Sequence, residues 1–538
     1  MTTFAHDYTE QILHRGRVYM DPVDFVPNWS DKPRKQKFYP DADRLPLGTA
    51  PYPGDASVDA GLHGAETHRL GHDLDTLGAL LQDSYGLSGR RLGIQANTDL
   101  GGLPWYVNAN WSRGTASGGG LYPVAVYLVA GPSSDLVPGV YHYSPSHHAL
   151  QRLLVGDVSG DVRAALGGRC DDTDTFLVLG IKYWQNAFKY NSFSFHAVTM
   201  DVGTVLGTWR LWSRARGAAV EPHLWFDEPA LAHLLGVEPS LEGIHAVVPL
   251  GGPGAVTTAA PTGARVALRD HEKSRVSFGF EAVETMQAET QAGCLDVPTP
   301  TSLDAARPTF PAPDDGSLVA LPPARPMPVD VRAALRRRRS SFGRFQGDPM
   351  PAEELGALLA AGQAGAVASE ATPSGADARG ITTLYAFVNH VEGVAPGAYR
   401  YHPAEHALEP VVAGGQGRFL QDNYFLSNYN MEQAGAVIVP TVRTHAVLDA
   451  VGSRGYRLVN ATIGAVSQAT YTAAAALDTG CGVALGFDNI SFIELLGLEE
   501  SGEKPLLVMA VGRERGSEGD FGSSLVPAEV PAHVEAGA

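Results

Sequence analysis

Residues 138–150 read PGVYHYSPSHHAL, and residues 396–408 read PGAYRYHPAEHAL. Both open on Pro-Gly, carry two tyrosines two apart and a second proline, and close on His-Ala-Leu, at an offset of 258 residues. FDEPALAHLLGVE (226–238) matches FDNISFIELLGLE (487–499) at offset 261, and LGALL occurs at 77–81 and again at 355–359, offset 278. Matches in the same order at similar offsets mark a duplicated domain, and a period this long excludes a solenoid. The chain therefore reads as two copies of one domain, with copy 1 carrying about 20 extra residues between 82 and 115.

At 538 residues the chain exceeds a single core and suits two domains with a linker. A net charge of −18, with one short arginine run and no basic stripe, argues against nucleic acid as a partner. No apolar run is long enough to span a membrane, and the N-terminus lacks the apolar centre of a signal peptide. The cysteines (Cys170, Cys294 and Cys481) are too scattered for a disulfide framework or a metal site, so a cytoplasmic location and no metal are expected.

The chain divides into five segments. Residues 1–60 are rich in proline, aspartate and aromatic residues without periodicity, and predict an extended arm. Copy 1 occupies 61–284, a proline-rich linker 285–330, copy 2 331–516, and a loose tail 517–538. Within copy 1, apolar spacing predicts a helix near 70–84 and another pattern around 196–217. Strands are expected at VAVYLVAG (124–131), VYHYS (140–144), TFLVLGIKY (175–183) and HAVVPLG (245–251). In copy 2, TPSGADARGITTLYAFV (372–388) sets Ser374 opposite Ser117. This alternation predicts α+β layers around a mixed sheet flanked by helices.

Three stretches carry chemistry. In ALRRRRSSFGRF (334–345), the forks of Arg338, Arg339 and Arg344 and the Ser341 hydroxyl suit a phosphate. A solvated basic helix end is the plainer reading. Copy 1 has no such cluster, and Arg513 of VGRER (511–515) aligns with Gly252, so both basic elements belong to copy 2 alone. The loop TASGGG (115–120), with Ala116, Ser117 and Gly118, lets backbone N–H groups approach a flat or anionic ligand. It precedes a strand, and so is not a dinucleotide fingerprint. In FKYNSFSFH (188–196), Lys189 and Tyr190 align with Ala450 and Val451. A Lys–Tyr pair can do proton chemistry, because an ammonium nearby favours phenolate. Neighbours on a regular helix face different ways, so both act at one site only if the segment is irregular. A surface lysine beside a half-buried tyrosine remains the alternative.

RRRSSFGRF followed by DPMPAEELGALL resembles the opening of the nitroreductase superfamily, whose Arg and Ser hold the phosphate of FMN. TASGGGLYP resembles that superfamily's second flavin loop, and LGFDNISFIELLGLEESGEKPLLVMAVGR its C-terminal block, where the backbone at Leu485-Gly486 would lie beside the flavin ring. The PGVYHY strand and the KY-x(4)-FH segment resemble the azoline dehydrogenases of thiazole/oxazole-modified peptide and thiopeptide biosynthesis, in which a Lys-Tyr pair is catalytic. Ala116 stands where proline is common, and Gly343 where a basic residue often sits.

The resemblance implies a tandem nitroreductase-like duplication folded as an intramolecular pseudo-dimer. Superfamily members bind FMN at a dimer interface, so copy 2's arginines and copy 1's Lys189, Tyr190 and glycine loop would be two halves of one site. The implied activity is FMN-dependent oxidation of thiazoline or oxazoline to the azole, with Tyr190 as base, Lys189 beside it and dioxygen as electron acceptor. A modified precursor peptide would be the substrate, and the cyclodehydratase of the same pathway a partner. Two other readings stay open: an NAD(P)H-dependent nitro- or quinone reductase, and a non-catalytic flavoprotein scaffold.

Overall fold

The computed structural model describes residues 2–48, 55–95, 105–252, 256, 259–299, 301–310, 318–366, 369–372, 380–516 and 521–525. Ser374 and most of its loop lie outside the described residues.

The repeated motif is a hairpin whose shared residues have assigned duties. Tyr141 and Tyr399 each donate to the carbonyl four residues back, at 2.6 and 2.7 Å. Tyr143 and Tyr401 each meet Nδ1 of the turn histidine, His148 or His406, at 3.0 Å. Those histidines sit at φ +44° and +48°, a left-handed conformation that a side-chain hydrogen bond can hold in place.

In copy 1 the strands are β1 (Asp43–Pro46), β2 (Val124–Ala130), β3 (Gly139–Ser144), β4 (Ala149–Val155), β5 (Phe176–Lys182) and β6 (Glu242–Pro249), in the order β1-β4-β3-β2-β5-β6. Copy 2 has β7 (Val319–Ala320), β8 (Thr382–Val388), β9 (Gly397–His402), β10 (Ala407–Ala413), β11 (Ala436–Val442), β12 (Gly480–Ala484) and β13 (Val508–Gly512), in the order β7-β10-β9-β8-β11-β13-β12. The shared order β4-β3-β2-β5-β6 and β10-β9-β8-β11-β13 is the duplication seen in space. All described pairings in these two sheets are antiparallel. The mixture expected from the alternation therefore lies in the layers and not in strand direction; short hairpins join β2-β3-β4 and β8-β9-β10, and a hairpin reverses its strand.

The copies also agree at the level of helix caps. Helices Glu228–Leu235 and Asn489–Leu496 start on Asp227 and Asp488, whose carboxylates take first-turn N–H groups, and stop on Gly236 and Gly497 at φ +65° and +64°.

Two long helices, Ser194–Arg214 of copy 1 and Gly455–Ala476 of copy 2, form the seam between the halves. They touch backbone to backbone where a Cβ on Gly203 would lie 2.0 Å from Ala461 O, and one on Gly464 2.0 Å from Met200 O. Gly203 and Gly464, like Met200 and Ala461, are equivalents at the repeat offset of 261, so the crossing lies on a pseudo-twofold axis. Gly203→Ala is therefore expected to lower the unfolding free energy by about 2 kcal/mol, because overpacking outweighs alanine's better helix propensity. Gly464→Ala should do the same. The double variant should fall short of the sum, since both substitutions strain one crossing. Denaturant unfolding of the three variants checks this.

Three of the five segments differ from expectation. The arm begins with a helix, Phe4–His14, fixed by a capping box between Thr3 and His6 and by Ala5, Tyr8, Ile12 and Leu13 on one buried face. Further along the arm, Lys37 is buried against Glu242 and donates to Tyr127 Oη at 2.7 Å. The linker opens inside a second helix, Glu281–Ala292, which buries Val283, Met286, Gln287 and Thr290. The tail is not wholly loose: Phe521–Ser524 pairs with Gly89–Gln95, which forms a hairpin with Trp105–Ser112. That hairpin is the extra length of copy 1.

Candidate active site

Helix Trp184–Tyr190 ends where Asn191 takes φ +43°, and a tight turn then enters the long helix. The helix breaks just after the pair, Tyr190 itself leaving helical dihedrals at φ −111°, and the two side-chain ends come together. Lys189 Nζ lies 4.7 Å from the Tyr190 ring centroid. Both tips press on the glycine loop at Gly119, which has φ +62°; a Cβ there would lie 2.4 Å from Tyr190 Oη and 3.1 Å from Lys189 Nζ. Only glycine allows that close approach.

The loop itself is held from two sides. Ser117 Oγ donates to Asp201 Oδ2 at 2.6 Å, and the Gly118 amide to Asp201 Oδ1 at 2.8 Å. From copy 2, Gln468 accepts from the Ala116 amide at 2.9 Å and donates to Gly114 O at 3.2 Å. Burial pushes the Asp201 carboxyl up to about 7, against the two hydrogen bonds that favour its charged form. Sequence reasoning missed Asp201. Its one signal was being the single carboxylate of its helix, at a position where copy 2 has Thr462.

The two basic elements of copy 2 do converge. Gln346 N donates to Arg513 O at 3.2 Å, Arg515 N to Arg344 O at 3.0 Å, and the Arg515 guanidinium to Gly343 O at 2.9 Å. The arginines, however, are not equally available. Arg338 is buried and spans the copies, donating to Gly114 O at 2.7 Å and Arg113 O at 3.0 Å. Arg513 is paired with the buried Glu354 at 2.9 Å, and Arg339 with Glu514 at 2.9 Å. Arg338 thus braces the site, because a guanidinium removed from water must satisfy its donors within the protein, and Arg513, partly exposed, is committed by its ion pair with Glu354. The Ser341 hydroxyl is buried and has no hydrogen-bond partner among the described residues. An orphaned buried donor among partly exposed arginines fits a phosphate oxygen, so the segment can accommodate FMN through Ser341, Arg339 and Arg344.

Leu485 and Gly486 form the third wall. Gly486 O accepts from the Phe425 amide at 2.9 Å, and Leu485 O from the Arg15 guanidinium. Arg15 lies over the Phe193 ring at 4.7 Å, and Phe193 is 6.1 Å from the Tyr190 ring, so this wall and the Lys–Tyr corner are neighbours. Tyr424, beside this wall, has its hydroxyl pushed up to about 12, first by burial and then by Tyr190. Among the described residues, no acceptor takes the amides of Leu485 and Gly486.

The equivalent place on the other side of the pseudo-twofold is filled. Leu224-Trp225 stands where copy 2 has Leu485-Gly486, and the Trp225 side chain is fully buried. Both amides are taken by Glu370, at 3.1 and 2.7 Å. Arg454 and Arg457 clamp the buried Glu228 at 2.8 and 2.9 Å. Burial raises the Glu228 carboxyl, but Arg457 and Arg454 more than reverse this and hold it below the usual range.

Residues 335–513 match the model of the Nitroreductase family. MJ1384 of Methanocaldococcus jannaschii, a nitroreductase by name only, is 29% identical over 131 residues, covering 24% of this chain and 64% of its own length. This chain therefore matches less than two thirds of that relative. A crystal structure from Anabaena variabilis, also a nitroreductase by name only, is 21% identical and covers 96% of this chain and 100% of its own, with a TM-score of 0.68. That is a likeness of fold along almost the whole chain. A chain of the E. coli microcin synthetase McbBCD complex with truncated pro-MccB17 bound is 18% identical over 34% of this chain and 70% of its own; its TM-score of 0.29 is too low to carry an argument. Residues 335–513 are thus a nitroreductase-superfamily domain, and the chain as a whole has a nitroreductase-like α+β fold built by tandem duplication.

Proposed function

We propose that this protein binds one FMN between its two copies and oxidises peptide azolines, thiazoline or oxazoline, to the corresponding azoles. The observation that carries the reading is the meeting of Lys189 and Tyr190 on Gly119, in a loop braced by copy 2 through Gln468 and Arg338. A reductase that only passes hydride to a quinone or nitro group needs no such base, whereas aromatising an azoline does.

The reaction removes two hydrogens from adjacent ring carbons, one as a proton and one as a hydride. FMN, when bound, supplies the two-electron acceptor for the hydride and is restored by dioxygen. The rest falls to the chain. Tyr190 would take the proton as its phenolate, becoming the neutral phenol, and Lys189 places beside that ring, 4.7 Å from its centroid, the positive charge that favours the phenolate form. Ser117, Gly118 and Asp201 fix the loop against which both tips rest, so the base cannot drift from the ring carbon it serves. Ser341, Arg339 and Arg344 would hold the phosphate, with Arg338 as a brace and Arg513 committed to Glu354, and the amides of Leu485 and Gly486 would face the flavin ring. The precursor peptide, and the cyclodehydratase that makes its azolines, are the partners this activity implies.

The test is incubation of the flavin-loaded protein with an azoline-bearing peptide in air. The expected result is loss of two hydrogens per ring by mass, with the azole absorbance rising in step. Rapid bleaching of the flavin by NAD(P)H with no change in the peptide would replace this reading with a nitro- or quinone reductase.

A further inference from the structure

Arg454 of copy 2 reaches into the filled half of the molecule, where it also donates to Thr290 O at 2.8 Å, and two of its contacts there matter for the open half. Its Nε donates to Leu224 O at 2.6 Å, and its Nη1 pairs with Glu228 at 2.8 Å. At the repeat offset of 261, Leu224 is equivalent to Leu485 and Glu228 to Asn489. Arg454 itself is equivalent to Phe193, so copy 1 has no arginine at that position to send into the open half.

The open half nevertheless has an arginine in that role, and it comes from elsewhere. Arg15, just past the N-terminal helix, donates to Leu485 O and, at 2.8 Å, to Asn489 Oδ1. These are the two positions equivalent to those Arg454 holds. Its guanidinium lies over the ring of Phe193, the residue equivalent to Arg454. The arm is tied down around this point. Tyr8 Oη donates to Ser192 O at 2.7 Å, Ser192 Oγ to Asp21 O, and Arg17 pairs with Asp488 at 3.1 Å. A Cβ on Gly16 would clash with the Phe425 ring, so the arm passes that side chain with no space to spare.

We infer that the N-terminal arm is part of the active site, and that Arg15 is a positioning residue that supplies from outside the duplicated domain the arginine copy 1 lacks at 193. By fixing Leu485 O it orients the Leu485-Gly486 turn and keeps its two amides directed at the ligand. The swap also explains why copy 1 tolerates phenylalanine there: the ring supports the incoming guanidinium and continues the aromatic wall toward Tyr190. The inference rests on the proposed flavin site for its ligand, but not for the Arg15 geometry.

The experiment uses the full chain as wild type, Arg15→Ala, Arg15→Lys, the double variant Arg15→Ala/Phe193→Arg, and Arg17→Ala as a neighbouring control. FMN binding is read by flavin fluorescence, the bound flavin by its visible absorption band, and the ligand-free turn by hydrogen exchange at the Phe425 amide, which donates to Gly486 O. Arg15→Ala is expected to weaken FMN binding by about 10- to 100-fold, the worth of a charge-assisted hydrogen bond. It should also alter the bound band and speed exchange at Phe425. Arg15→Lys should lie between, and Arg17→Ala close to wild type. Phe193→Arg should recover most of the loss, a rescue that general loosening of the arm would not give. Wild-type affinity, spectrum and exchange in Arg15→Ala would overturn the inference. If the wild type takes up no FMN, the flavin reading fails, and the exchange at Phe425 in ligand-free protein still decides the role of Arg15.

Discussion

Tyr190→Phe is expected to cut azoline turnover by about 10²–10⁴-fold, the usual worth of a positioned general base, while FMN content and unfolding temperature stay at wild-type values. The substitution removes one oxygen and leaves the ring in contact with Lys189 and Phe193, so packing is preserved. The hydroxyl tip occupies the space that a Cβ on Gly119 would need, so its loss opens room and creates no clash. The comparison is made at saturating peptide on protein of equal flavin loading. Full turnover in Tyr190→Phe would remove this residue from the chemistry and, with it, the main reason for preferring azoline oxidation.

The second large effect concerns Asp201. Its carboxyl titrates near 7 in the folded protein against an ordinary value of 3.8. The folded state therefore binds the proton more tightly than the unfolded chain. The stability this contributes is full below pH 3.8 and is lost as pH rises to about 7, beyond which it is constant. About three pKa units correspond to about 4 kcal/mol across that window. Asp201→Asn cannot ionise, so the difference in unfolding free energy between wild type and variant should shift by about that amount between pH 4 and pH 8, in the variant's favour at the higher pH. An amide at this position still accepts from Ser117 or Gly118, so the loop need not collapse. A difference that stays flat with pH would mean that Asp201 is charged throughout and that the loop rests on an ordinary carboxylate.

How much of the molecule was legible in the sequence depends on how local each feature is. The hairpin was legible because its tyrosines and histidine make contacts within five residues, and a duplicated chain preserves such units whole. Lys189, Tyr190 and the glycine loop were legible as residue types, but not the bend at Asn191 that lets neighbours converge. The braces were invisible. Arg338 serves carbonyls in copy 1, which leave no mark in a sequence, and so looks like the phosphate ligands beside it. Arg15 acts on a backbone atom 470 positions away. The N-terminal helix escaped notice because one short amphipathic face among proline- and aspartate-rich residues gives too few turns to register a period. Asp201 was hidden for the opposite reason, since its helix reads as uniform core.

The asymmetry between the copies joins fold to function. Copy 2 keeps glycine at 486, with its amide unclaimed among the described residues, where copy 1 has a buried tryptophan whose amide Glu370 takes. The duplication has left the basic elements in copy 2 alone, and the place in copy 1 equivalent to Leu485-Gly486 is filled. The most direct test is flavin quantitation on the purified full-length protein after saturation with FMN and removal of the excess. One FMN per chain is the predicted result, and Trp225→Gly should not raise it while Glu370 and the Arg454–Glu228 pair still fill that half. Two per chain in the wild type would contradict the closed half, and none would contradict the flavin site itself.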